Sequence, residues 1–106
     1  MPKYLWQVSY TPQGAKGLIE EGGSSRREVI KGMLESVGGK LEALYYAFGP
    51  DDLIVIGDVP DNVSVAALAL QTAASEAARS RTTVLLTPEE IDEAAKRPVQ
   101  YRPPGA

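Results

Sequence analysis

Apolar positions along this chain alternate in four stretches and recur at helical spacing between them, and this sets out its elements. KYLWQVSY (Lys3 to Tyr10) is rich in aromatic and β-branched residues and ends at TPQG, which predicts a strand. Thr11 followed by Pro12 reads as a helix start, with proline at the first helical position. One or two turns are expected there, broken at Gly22-Gly23. SSRREVIKGMLESVGG restarts a helix, with Ser25 as N-cap and Glu28 three residues on in a capping-box pattern. Val29, Ile30, Met33, Leu34 and Val37 recur on one side of it, and Gly38-Gly39 supplies the stop. KLEALYYAF and DLIVIGDV are strand-like runs linked by GPD, which predicts an antiparallel hairpin. An alanine-rich helix follows, capped by Asp61 or Asn62, and then a fourth strand, RTTVLLT. Thr87, Pro88 and Glu90 mark a second capping box at the start of a short terminal helix.

The order β-α-β-β-α-β predicts an α+β, ferredoxin-like sandwich: a four-stranded antiparallel sheet with two helices on one face, plus the short C-terminal helix. Residues 1–106 read as one domain, of which 97–106 form an extended Pro-rich tail.

Two helices cover only one face of such a sheet, so the other face of a soluble monomer should be polar at every second position. In the third strand Leu53, Val55, Gly57 and Val59 alternate with Asp52, Ile54, Ile56 and Asp58, and both sets are substantially apolar. The second and fourth strands share this character. The alternation does not decide which parity faces the helices. A second covering layer is expected, either the C-terminal tail or another subunit packed sheet against sheet, and symmetric homo-oligomers are common. The tail VQYRPPGA is a candidate for exchange onto a neighbour.

Composition narrows the chemistry. At 106 residues and 11.3 kDa, with 43% hydrophobic residues, the chain has enough apolar material for a core without disulfides. It has neither cysteine nor histidine, so thiolate nucleophiles, a Ser-His-Asp triad and His-ligated haem are excluded. A net charge of −3 without any basic cluster predicts no nucleic-acid partner. No apolar stretch approaches the ~18 residues of a membrane span, and the opening residues, without a basic segment followed by a long apolar core, predict no signal peptide. A cytoplasmic protein without metal or cofactor is the expectation.

YTPQG (Tyr10 to Gly14), GGKLEALYYAFG, DLIVIGDVPDN, the alanine-rich helix and Arg79 with Thr82 resemble, in order and spacing, the GYD domain family. These stretches span nearly the whole chain up to TPEE. The resemblance implies a ferredoxin-like fold with assembly of the dimeric α+β barrel type, and it brings no assigned activity. Cofactor-free monooxygenases and haem-using enzymes are wider relatives. The motif that names the family stands here as Gly49-Pro50-Asp51-Asp52, with Asp51 where the tyrosine is expected.

Among the carboxylates, Asp52 and Asp58 lie roughly 20 Å apart along a strand and cannot chelate one ion. Asp51 is expected to cap a hairpin turn, Asp58 to end a strand and Asp61 to cap a helix. Asp52, at the strand mouth, is the site candidate, placed to pair with Arg79 or to line a pocket. Arg79 and Arg81 together offer a site for an anion or ordinary surface charge. Trp6, Tyr10 and Tyr46 are the aromatic candidates, either as packing or as the border of a cavity holding a small ligand. The leading expectation is therefore a self-assembling protein with a binding or assembly role. The alternative is a cofactor-independent enzyme, monooxygenase- or isomerase-like, acting on a small apolar or aromatic compound between sheets.

Overall fold

The computed structural model describes residues 1–106. Its elements are β1 (Lys3–Tyr10), α1 (Pro12–Glu21), α2 (Gly23–Ser36), β2 (Lys40–Tyr46), β3 (Leu53–Asp58), α3 (Asn62–Ala74), β4 (Ala78–Leu85) and α4 (Pro88–Lys96). The four strands form one sheet in the order β2-β3-β1-β4, with every neighbouring pair antiparallel. This is the ferredoxin-like arrangement expected from the element order.

Burial settles the parity that alternation left open. Tyr4, Trp6, Val8, Leu53, Val55 and Val59 are buried beneath Ile30 and Leu34 of α2 and Val65 of α3. Leu5, Gln7, Ile54, Ile56 and Asp58 face the other way and are only half-buried. Gly57 lies on the core side because a Cβ there would meet Leu34 Cδ2 at 2.6 Å and the Lys40 carbonyl at 2.8 Å. The glycine lets α2 close on the sheet.

Four boundaries depart from the sequence reading. α1 has 10 residues, nearly three turns. Ser25 is not an N-cap: α2 begins at Gly23 after Gly22, whose φ of 89° joins the two helices with no side-chain cap. The left-handed turn comes from glycine, so no serine is needed, and Ser25 Oγ instead donates to Glu21 Oε1 at 3.4 Å. The β2–β3 connection runs over Ala47 to Asp52, longer than GPD alone. β4 starts at Ala78, which places Arg79 and Arg81 within the strand rather than at its entrance.

The caps at α3 and α4 follow the sequence. Asp61, not Asn62, caps α3 by accepting the Ser64 N–H at 2.8 Å, and this hydrogen bond holds its carboxyl below the ordinary aspartate value. Asn62 accepts instead from the Tyr4 hydroxyl at 2.7 Å, tying α3 to β1. Thr87 and Glu90 form the reciprocal capping box of α4.

Candidate functional site

Three strand ends meet at one edge of the sheet: the end of β1, the end of β2 and the start of β3. With α1 and the first residue of α2 they enclose an open cleft of about 740 Å³. Tyr10, Tyr46, Phe48 and Asp52 reach it from the sheet side, and Pro12, Ala15, Leu18 and Ile19 from α1. Its walls are mostly apolar, with the polar groups concentrated on the sheet side.

Asp52 is fixed at three points. One carboxylate oxygen accepts the Tyr10 N–H at 2.8 Å, its own N–H donates to the Val8 carbonyl at 2.8 Å, and its carbonyl accepts the Ala47 N–H at 2.9 Å. The second carboxylate oxygen makes no hydrogen bond to the protein and is available to a ligand donor. The Tyr46 hydroxyl donates to the Gly23 carbonyl at 3.1 Å, which pins β2 to the start of α2.

The Tyr10 hydroxyl is different. It is buried and has no hydrogen-bond partner. Burial raises its pKa above the ordinary 10.0, the neighbouring Tyr46 adds to the rise, and the Arg26 guanidinium opposes it. Tyr46 is shifted the same way, chiefly by burial. Both phenols are therefore neutral donors at physiological pH, and that of Tyr10 lacks an acceptor. An unmade hydrogen bond of this kind costs about 1–3 kcal/mol. Tyr10→Phe is expected to leave stability unchanged or to raise it by about 1 kcal/mol in urea unfolding. The same series at alkaline pH carries a sign. The folded protein holds the Tyr10 proton more tightly, so stability is complete below pH 10.0 and falls as pH rises through the higher folded value. Removing the hydroxyl should shallow that fall.

On the opposite face of the sheet the same loop builds a second polar group. Asp51, expected at a turn cap, is buried at 9% exposure and pairs with Arg81 at 2.7 Å. Gln7 Nε2 and Ser9 Oγ donate to the same carboxylate at 3.3 and 3.4 Å. The adjacent aspartates thus diverge, Asp51 to the open face and Asp52 to the helix-side cleft.

Of the candidate residues, the structure brings together Tyr10, Tyr46 and Asp52. Trp6 lies apart in the core, and Arg79 sits on β4 opposite Ser9, beside a shallow depression against α3. Asp52 forms no pair with Arg79; the ion pair of this loop is Asp51 with Arg81. Sequence reasoning missed Asp51, Phe48 and the α1 wall. The Asp51-Asp52 doublet was a signal for the first, but its meaning depends on the β1–β4 register. No three acidic side chains gather to hold a metal ion.

The GYD domain family model matches residues 4–95. The chain belongs to the GYD domain family. Among curated proteins none matches it. The matched span in this GYD protein includes the fold, the cleft and α4 almost to its end. Within the matched span Asp51 is the residue held by Arg81, so a charged network occupies the β2–β3 connection here.

Proposed function

We propose that this GYD protein self-assembles through the open face of its sheet and serves a binding or assembly role. The carrying observation is the composition of that face. Ala43, Ile54, Ile56 and Leu5 form a half-buried apolar centre, and Tyr45 beside them is 72% exposed. Charged groups frame it, with Lys3 bridging Glu42 and Asp58 at 3.0 and 3.1 Å along one end and Asp51 with Arg81 at the other. An apolar centre inside a polar rim is the usual anatomy of a protein interface. The proposal includes a cytoplasmic setting, in which a chain without cysteine needs no oxidising compartment to fold.

Sedimentation tests it directly. A species larger than 11.3 kDa is expected at micromolar concentration, and a compact monomer there would overturn the reading. Ile56 lies between Leu5 and Ala43 at the middle of the face. Ile56→Lys should raise the dissociation constant at least about tenfold, equivalent to about 1.4 kcal/mol, with the monomer still folded.

A second reading is supported by the cleft: binding, and cofactor-independent turnover, of a small apolar or aromatic compound. The cleft that would serve lies between helices and sheet, not between facing sheets. Tyr46 and Asp52 line its polar side, and the carboxylate oxygen of Asp52 not held by Tyr10 is an acceptor for a ligand. A fragment screen by ligand-observed NMR is expected to give hits that Asp52→Asn and Tyr46→Phe weaken. Hits indifferent to both changes would remove the residues named for this activity.

A further inference from the structure

Two surfaces of this protein lack partners, and each has what the other needs. The first is the segment after β4. Nothing in α4 is buried, and Leu86, Ile91, Val99 and Tyr101 are exposed at 52% or more. The radius of gyration is 16.9 Å and the long axis 57 Å, against 32 and 24 Å across. A compact chain of this length has a radius of about 13 Å. The C-terminal arm therefore stands away from the body. A helix of 9 residues has marginal stability alone in water. This one nevertheless carries a complete capping box and places Ile91, Ala94 and Ala95 at the spacing of one face.

The second surface is on the body. Val84 and Thr82 pair with Tyr4 and Trp6, so they share the helix-facing side of the sheet with two buried core residues. Both are nevertheless exposed, Val84 at 58%. The helical layer stops short of this half of β4, where one more helix is missing. α4 is the helix without a seat, and its own chain carries it elsewhere. Only Leu86 and Thr87 join it to β4, and Thr87 is extended at φ −73° and ψ 158°, which sends α4 past the strand end.

We propose that the arm from Leu86 onward is exchanged between two copies of this chain, with α4 of one seated on the helix-facing side of β4 of the other. A reciprocal exchange covers both arms and both strips in one closed two-fold operation. The inference rests on self-assembly, and adds to the sheet-face reading a second contact that can be tested apart from it.

The chain has no cysteine, so single cysteines report position without interference. Full-length Val84→Cys and Ile91→Cys chains, unfolded together, refolded as a mixture and treated with a short bismaleimide, should give a covalent heterodimer as the main product. Failure to cross-link overturns the exchange. So does a chain carrying both changes that closes only on itself, because the arm then folds back in its own copy. Ile91→Asp in the full chain should raise the dissociation constant at least tenfold, and an unchanged constant overturns the proposal. Ile56→Lys separates the two contacts. If it gives monomers while the mixture without it cross-links nothing, the sheet face holds the copies and the arm proposal falls. If the cross-link forms undiminished in its presence, the arm stands and the sheet-face reading falls.

Discussion

Trp6→Ala is expected to destabilise the protein by about 3–5 kcal/mol, among the largest costs of any single change here. Trp6 is 7% exposed and packs at a tilt of 34° on Tyr4, with ring centroids 5.8 Å apart. Above it lies a small, half-open void of about 70 Å³, bordered by Ile30, Leu34 and Leu68. Truncation would enlarge this void rather than open a separate one, and residual volume is what raises the cost of such changes. Domains of this size are stable by about 5–15 kcal/mol, so the loss is a large share of the total. The melting temperature should fall by roughly 20 °C. Far-ultraviolet circular dichroism is the readout, because Trp6 is the only tryptophan. A fall of only a few degrees would mean that the core closes around the gap. Trp6→Phe keeps most of the volume and should recover most of the stability.

The fate of Trp6 illustrates what could be read in advance. The run from Lys3 to Tyr10 specified a strand with Tyr4, Trp6 and Tyr10 on one side, and that side is the core. Alternation is a local property, so the strand and its two faces were legible. The choice between the faces was not, because Ile54 and Ile56 are as apolar as Leu53 and Val55, and only helix packing distinguishes them. Thr87, Pro88 and Glu90 announced α4 because a capping box acts within four residues. Ser25 failed for a converse reason: Gly22 already supplied the left-handed junction, so the helix began earlier. The site divides the same way. Asp52 stands out in the sequence because it opens a strand, and in the fold it lines the cleft. Asp51 acquires its partners only when Gln7, Ser9 and Arg81 come into register across β1 and β4, pairings between distant parts of the chain. Neighbouring residues in the sequence carry no trace of them.

One glycine joins the fold to the cleft, and its replacement should have the other large effect. Gly14→Ala is expected to cost about 3 kcal/mol, whereas Gly17→Ala in the same helix should gain about 0.5–1 kcal/mol. α1 buries no side chain, so its attachment to the body depends on its first turn. The Thr11 N–H donates to the Ala77 carbonyl at 3.0 Å, and the Thr11 hydroxyl reaches the Glu76 and Ala77 carbonyls while accepting the Gly14 N–H at 3.2 Å. A Cβ on Gly14 would overlap the Ala77 carbonyl oxygen and lie 2.9 Å from its carbon and 3.0 Å from Tyr10 Cδ1. Two of those atoms are backbone and cannot rotate away, so the helix itself must move. At Gly17 nothing lies within 4 Å, and the better helix propensity of alanine acts unopposed. The two changes delete the same hydrogen and add the same methyl, so their difference measures the contacts with Ala77 and Tyr10. Urea unfolding of both variants gives that difference, and equal effects would mean that α1 is not anchored at Ala77. Because Tyr10 is also in the path of the added methyl, displacement of α1 should unseat the tyrosine and widen the cleft. Gly14→Ala should then weaken any fragment bound there, and Gly17→Ala should leave its affinity unchanged.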